Sequence, residues 1–324
     1  MRNAVRILIG IGVLVFAILP VLVRSEYLLS LSLTFFLYVV VAQSWNLLGG
    51  FAGQVSLGHS AFFGTGALIT RLLWTSGSPI LLSLSAGSLS SAALALLVGV
   101  PCLRMRSAYF PIGTLALAMI AQITVANTFP LPGSLSSAYL KDYNLFSRYY
   151  LALFVAALTI TLVYWIVRSR TGLALVGIRD DEAAAEAMGV KTFRHKVLAL
   201  LISSLLVGLG GGVFAFHQVS YYFYAPFELS WSFLPTLTTF IGGLGTVAGP
   251  ILGAACFLGL SELFAVSLGE MHLVVFAFTF ILVVLFVPGG LISASARIRI
   301  FSANVVGRLA KTGRPRSGNK GVPE

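Results

Sequence analysis

The sequence predicts an all-α integral membrane protein with about ten transmembrane helices. Of its 324 residues, 58% are hydrophobic and only 10% are charged, and the mean hydropathy is +0.96. A soluble domain has about a quarter of charged residues, so this chain lacks the charges needed to cover a water-facing surface. Apolar runs long enough to cross a bilayer recur along the chain. The basic residues collect in the loops between these runs, as in multi-pass membrane proteins.

The first apolar run, Ile7–Val23, follows two arginines and resembles the start of a signal peptide. No small-residue cleavage site follows it, so we expect the run to stay in place as the first span. Two of the other runs, which begin at Gln54 and Leu229, are the weakest predicted spans because they are short and rich in Gly and Ser. If one of them is re-entrant, the count is eight or nine. The other nine predicted spans are Leu28–Leu48, Gln54–Leu73, Ile80–Leu103, Tyr109–Phe129, Tyr150–Val167, Val197–His217, Leu229–Gly245, Pro250–Leu268 and Met271–Gly290.

The distribution of charge predicts how the chain crosses the membrane. With ten spans and the N-terminus inside, seventeen Lys and Arg residues fall on the cytoplasmic side, and both termini are cytoplasmic. The other side receives four basic residues, which are Arg24, Arg71, Lys141 and Arg148. We expect one membrane domain over residues 1–300 and a basic cytoplasmic tail over residues 301–324. The tail is polar, contains Gly and Pro, and is expected to be disordered.

A charged loop over residues 168–196 interrupts the apolar chain, with ten charged residues in 29 positions. Acidic residues precede a run of alanines here, and Gly189 stands where a helix would end, so the loop predicts a helix of about nine residues. Such a short helix is marginal in water by itself. We expect it to be stabilised by docking on this chain or on a partner, and an ordinary structured loop is the alternative.

Two glycine-rich segments, Gly49–Leu68 and Thr239–Ala254, lie in the two halves of the chain. Small residues in a membrane helix usually allow close helix packing. The functional alternative is a broken helix that lines a translocation path, because unwound backbone is tolerated beside a cavity. The candidate pathway residues are Asn46, Gln54, Ser56, His59, Gly242, Gly243 and Gly245.

Other functional classes find little support in the sequence. There is no Walker A motif, the four histidines lack metal-ligand spacing, and no set of residues suggests catalysis. Cys102 and Cys256 are expected to be packing residues, and the basic residues form no nucleic-acid patch. Only His59 and Glu262 are ionisable groups well inside a predicted span. We therefore expect a transport protein whose energy comes from outside this chain.

Several stretches resemble one known family. GIRDDEAAAEAMGVKTFRHKVLAL in the charged loop is similar to the cytoplasmic loop of branched-chain amino acid ABC importer permeases of the LivM type. The family pattern continues in WNLLGGFAGQVSLGHSAFFGTGAL, LRMRSAYFPIGTLALAMI, FIGGLGTVAGPILGA and VPGGL, in the same order. The similarity extends from about residue 28 to residue 292.

This resemblance implies a non-enzymatic permease subunit of a bacterial inner-membrane importer. The implied partners are a second, LivH-like permease, two cytoplasmic ATPases that bind the ATP, and a periplasmic or lipid-anchored solute-binding protein. Membrane lipids are a further expected partner, because the basic tail can rest on anionic lipid. This chain would hold no cofactor. The resemblance also implies a coupling helix gripped by an ATPase, formed by Arg179, Asp180, Asp181, Glu182, Glu186, Met188 and Gly189.

The solute stays open at this point. The loop after Phe129 reads PLPGSLSSAYL, which departs from many relatives, and the acidic position usual near Ala121 is absent. The family also includes importers of urea, short amides and aromatic acids. A self-sufficient secondary carrier or channel is the alternative from a different class.

Overall fold

The computed structural model describes residues 12, 14–22, 25–105, 109–135, 139, 143–268 and 290–292. The predicted tail 301–324, and the predicted span Met271–Gly290 apart from its last residue, lie outside these ranges. The described elements are helices, and residues 14–22, part of the first predicted span, are also helical. We number the longer elements α1 Glu26–Asn46, α2 His59–Thr75, α3 Ile80–Leu94, α4 Phe110–Thr128, α5 Leu145–Val167, α6 Arg170–Asp180, α7 Glu182–Ala187, α8 Thr192–His217, α9 Ser230–Gly242 and α10 Gly249–Leu268.

Three predicted spans agree closely with the structure because their apolar runs have clear ends. Helices α1 and α4 begin and end within two residues of the predictions. Helix α1 continues into a π-helical turn, Leu47–Phe51. Helix α3 continues through another π-helical turn, Ala95–Gly99, and a last turn that ends at Leu103, as predicted.

Helices α5 and α8 each begin five residues before the predicted start. Charged side chains, Arg148 in α5 and Lys196 in α8, lower the local hydropathy there, but the helix geometry extends past them. The Asn144 side chain caps α5 by accepting a hydrogen bond from the Phe146 amide at 2.9 Å. Both charged side chains are buried, at 2% and 7% exposure, which a hydropathy pattern does not anticipate.

The two weakest predicted spans are shorter as helices than expected. Helix α2 starts at His59, because residues 52–58 are not helical. Helix α9 has 13 residues, which is about 20 Å of helix and less than the ~30 Å hydrocarbon core. By length and composition, five helical segments in the described ranges can cross a membrane, namely Glu26–Phe51, Ile80–Leu103, Phe110–Thr128, Leu145–Val167 and Thr192–His217. The apolar segment Gly249–Phe264 of α10 is shorter.

Helix α8 lies at the centre of the bundle and packs against α1, α2, α3 and α5. Its contact with α2 depends on glycine, because a Cβ atom on Gly66 would collide with the backbone of Gly208. A Cβ atom on Gly211 would likewise meet the Phe63 carbonyl oxygen. The packing prediction is therefore confirmed for this part of the first glycine-rich segment.

The bundle has two distinct ends. The end that carries α6 and α7, called the charged end below, also carries Leu103 and Arg104 after α3. The opposite end, called the far end, carries Trp74 at the end of α2 and Arg148 at the start of α5, with 5.9 Å between the guanidinium carbon and the indole ring. Successive long helices thus run between the same two ends.

Candidate functional site

The charged loop folds as two short helices, α6 and α7, separated at Asp181. The extended backbone of Asp181 (φ −159°, ψ 109°) ends α6, and its carboxylate then caps α7 by accepting from the Ala184 amide at 3.0 Å. Helix α7 ends as the sequence predicts, because Gly189 has a φ of +84° and the Val190 amide bonds back to the Ala185 carbonyl oxygen. Helix α7 has six residues instead of the predicted nine, because Asp181 and Met188 are its cap residues and not part of the helix.

The acidic side chains of α7 hold it onto the start of α8. Lys196 Nζ lies 2.6 Å from a Glu182 carboxylate oxygen. Thr192 Oγ1 donates to Glu186 Oε1, also at 2.6 Å. Ala185 is buried on the same side of the helix. Glu182 and Glu186 therefore fix the position of α7, and much of their charge is directed toward this chain.

The other side of α7 is exposed and largely apolar. Ala183, Ala184 and Ala187 are exposed, and Met188 is 85% exposed. We call these four residues the outer face of α7. Small side chains beside one exposed methionine make a smooth apolar surface, and methionine adapts readily to a partner.

Arg179, the residue before the last in α6, reaches from the charged loop to both glycine-rich segments. Its Nη1 donates to the Gly50 carbonyl oxygen at 3.2 Å, and its Nε and Nη2 donate to Asp180 Oδ1 at 3.1 and 3.0 Å. A Cβ atom on Gly245 would lie 2.5 Å from Nη1 and 3.1 Å from the Gly50 oxygen. One side chain thus contacts turns that are far apart in the sequence.

The turn between α9 and α10 is held against α1 by two buried amides. Asn46 Nδ2 donates to the Thr246 carbonyl oxygen at 2.9 Å, and Asn46 Oδ1 accepts from the Gly245 amide at 3.0 Å. One helical turn earlier, Gln43 Nε2 donates to the Val247 carbonyl oxygen at 2.5 Å. These bonds supply partners for backbone groups that the break between two helices leaves free.

The non-helical stretch before α2 is also supported by side chains. Trp45 Nε1 donates to the Ser56 carbonyl oxygen at 2.8 Å, and the Leu57 amide donates to Thr114 Oγ1 at 3.1 Å. The imidazole of His59 lies between Ser56 Oγ and Ser203 Oγ, at 3.1 and 2.8 Å from its two ring nitrogens. Ser56 and His59 are fully buried and have protein partners.

Gln54 has a different position from its neighbours. It lines a cavity of about 370 Å³ at the charged end, together with Arg104, Glu182, Glu186 and other residues. The structure therefore brings Arg179, Asn46 and Gly245 together, and it brings Gln54 close to α7. It places Ser56 and His59 in a separate buried network. Gly242 and Gly243 lie at the turn between α9 and α10. A Cβ atom on Gly242 would collide with the Gly249 carbonyl oxygen.

Comparison with known proteins identifies the family of this arrangement. The model of the family described as "Branched-chain amino acid transport system / permease component" matches residues 27–284. The chain belongs to this permease family. Its described helices and its charged loop all lie inside the matched region or directly beside it.

Individual relatives agree with this assignment. The chain is 25% identical over 298 residues to the high-affinity branched-chain amino acid transport system permease protein LivM of Salmonella typhimurium (strain LT2). It is 24% identical over 298 residues to the protein of the same name from Escherichia coli (strain K12). Each comparison covers 79% of this chain and 68% of the relative. A shorter match of 63 residues, 30% identical, links 19% of the chain to 20% of the guanosine ABC transporter permease protein NupQ of Bacillus subtilis (strain 168).

This chain is therefore an ABC transporter permease of the LivM type. The sequence pointed to most of the residues at the charged end of the permease, but it missed Gln43. The available signal was a glutamine within the otherwise apolar run VVVAQSW of α1. A polar side chain at such a position usually bonds to backbone or to another helix.

Proposed function

We propose that this permease is the transmembrane subunit of an importer that passes branched-chain amino acids, or related small solutes, into the cytoplasm. Two partner ATPases drive it, a second LivH-like permease completes the membrane path, and a binding protein delivers the solute. Family membership and the names of the two LivM relatives support this proposal. The NupQ match concerns a nucleoside permease, but it is limited to 63 residues.

In this proposal the chain crosses the membrane ten times and the charged end is cytoplasmic. The segments α2 and α9 are too short to be simple spans, so each crosses together with the non-helical backbone beside it. The excess of basic residues in the loops assigned to the cytoplasm supports this orientation. The far end then faces the periplasmic or external side.

The observation that carries the proposal is the outer face of α7. The acids of α7 bond to Lys196 and Thr192, while the four residues of the outer face remain exposed. A contiguous exposed apolar patch on a protein surface marks a candidate interaction site. In this proposal a groove on the ATPase accepts α7 and covers its outer face.

Arg179 supplies the route from the docked helix to the translocation path. A movement of α6 and α7 is transmitted through Arg179 to two turns. The turn at Gly50 follows α1, and the turn at Gly245 follows α9. Glycine turns can absorb a change of backbone angle between rigid helices. The candidate pathway residues, Asn46, Gln54, Ser56, His59, Gly242, Gly243 and Gly245, lie on or next to these moving segments in this proposal.

The docking proposal is tested with Met188→Lys in the complete transporter. Lysine suits the C-terminal end of a helix, and an exposed residue is replaced without loss of packing, so the permease should still fold. In the complex, an unpaired charge buried in the interface weakens ATPase binding by about 100-fold or more. The amount of ATPase that copurifies and the ATP-dependent uptake of leucine should fall together.

The control is Leu131→Lys, since Leu131 is also an exposed apolar residue, at 76%, but lies in the loop after α4. This variant should retain its ATPase. If Met188→Lys retains the ATPase as well as Leu131→Lys does, the outer face of α7 is not the docking surface.

A further inference from the structure

The far end contains a pair of buried arginines that differ in one respect. Arg71 is 1% exposed, and its guanidinium donates to the carbonyl oxygens of Ala215, Gln218, Val219 and Gly133. Its hydrogen-bonding capacity is therefore used by the backbone. No carboxylate takes part in these bonds. Arg71 is a structural cation that ties the loop after α8 to the loop after α4.

Arg148 has no such partners, although it is only 2% exposed. Its Nε and Nη1 atoms are buried and make no hydrogen bond. The guanidinium carbon lies 3.6 Å from the ring centre of Tyr143 and 4.6 Å from that of Phe216. Aromatic rings can stabilise the faces of a guanidinium group, and the Tyr143 side chain is also a hydrogen-bond partner of Arg148. Nε and Nη1 nevertheless remain without acceptors. A buried donor without a partner is costly and calls for an explanation.

The surroundings of Arg148 suit an anion. The side chain lines a cavity of about 360 Å³, where Ser78, Asn144 and Ser147 provide polar groups. Asn144 uses its Oδ1 to cap α5, so its Nδ2 amide is free to donate. A second cavity, of about 990 Å³, shares Asn144 and includes Glu26, which is exposed. Among the described residues that line the two cavities, Glu26 is the one carboxylate.

Exposed apolar residues are close in the sequence to residues that line this cavity. Leu81 and Leu82 follow the lining residue Ile80 and are 69% and 58% exposed, and Phe146 beside Asn144 is 47% exposed. In a membrane such residues contact acyl chains. Trp74 and Tyr139, which also line the cavity, are the residue types that settle at the level of lipid headgroups. The lining of this cavity thus combines a buried cation with two aromatic residues of this kind.

We propose that Arg148 and the cavity beside it bind the phosphodiester group of a phospholipid at the far end of the permease. The lipid phosphate accepts hydrogen bonds from Arg148 and the Asn144 amide, and its acyl chains lie along the exposed residues of α3 and α5. Arg71 adds a second buried positive charge nearby, so a lipid with a net negative headgroup, such as phosphatidylglycerol, is preferred to a zwitterionic one.

The test uses the full-length permease purified with its partner subunits in detergent. Short-chain phosphatidylglycerol is added, and thermal unfolding and native mass spectrometry report binding. A ligand that binds only the folded protein raises the Tm with concentration. Arg148→Gln should weaken this binding by about tenfold or more. Asn144→Asp keeps the helix cap but places a negative charge in the cavity, so it should also abolish the lipid-dependent shift without preventing folding.

Arg170→Gln is the control, because it removes one exposed positive charge at the other end of the bundle. It should bind phosphatidylglycerol as the wild type does. Glycerol phosphate, a soluble anion with phosphate oxygens, and leucine, a zwitterion with a carboxylate, should cause no shift that depends on Arg148. If either soluble compound does so, the site takes a solute and the lipid proposal is wrong. If all variants respond equally to the lipid, Arg148 does not bind it and the proposal is overturned.

Discussion

Replacing Arg179 with methionine should separate ATP hydrolysis from transport in the assembled importer. The substitution keeps a long side chain on α6 but removes the bonds to Gly50 and Asp180. It leaves the outer face of α7 unchanged, because that face depends on other contacts. The ATPase should therefore still bind and hydrolyse ATP, while the glycine turns no longer follow the movement of the charged loop.

The size of the effect follows from the geometry of Arg179. A hydrogen bond from a charged group is worth about 1.5–3 kcal/mol when it is well shielded. The Arg179 side chain is 36% exposed and its bond to Gly50 is 3.2 Å long, so solvent reduces the contribution to about 1 kcal/mol. If the bond forms in only one of two transport conformations, its loss changes the ratio of the populations of these conformations by about fivefold. Folding stability should change little.

The assay measures leucine uptake and ATP hydrolysis in the same proteoliposomes. For Arg179→Met we expect about five times fewer solute molecules per ATP than for the wild type. Arg179→Lys retains the charge without the planar fork and should lie between them. Arg170→Met is the control, because Arg170 is on the same helix and makes none of these contacts. An unchanged ratio of uptake to hydrolysis in Arg179→Met would refute the transmission route. Loss of bound ATPase would also refute it, because Arg179 would then act in docking.

Two further predictions concern glycines, each paired with a matched control. Gly245→Ala places a methyl group 2.5 Å from Arg179 Nη1 at a φ of +67°, whereas Gly77→Ala meets no atom of the described residues within 4 Å at a φ of +97°. Both variants should lose about 1–2 kcal/mol of stability because of the backbone strain. Only Gly245→Ala should also lower leucine uptake. Gly66→Ala drives a methyl group into the backbone of Gly208, while Gly259→Ala in α10 meets no atom of the described residues within 4 Å. The first should lower the Tm and the yield of folded permease, and the second should leave both close to wild type. Equal effects within either pair would contradict the contacts described.

Hydropathy explains how much of the fold could be predicted. The ends of α1 and α4 follow from apolar runs with polar residues at both ends, and these were predicted to within two residues. The predicted start of α5 is five residues too late, because Arg148 lowers the hydropathy there although it is buried in the helix. The predicted end of α9 is three residues too late, because an apolar glycine-rich turn has the same hydropathy as a helix.

The candidate site shows the same division between local and distant information. The cap at Asp181 and the stop at Gly189 depend on neighbouring residues, so the sequence could indicate the helix between them. The bond from Arg179 to Gly50 joins residues 129 positions apart, and no local pattern specifies that pairing. The inward direction of Glu182 likewise depends on Lys196 in the next helix.

Partner-driven import is tested most directly by reconstituting the permease with its second permease, ATPases and binding protein in liposomes. Leucine uptake is then measured with ATP available to the ATPases, and again with a proton or sodium gradient and no ATP. We predict uptake with ATP, and none from the gradients alone or from this chain by itself. Uptake by this chain alone, driven by an ion gradient, would contradict the account and indicate a self-sufficient carrier.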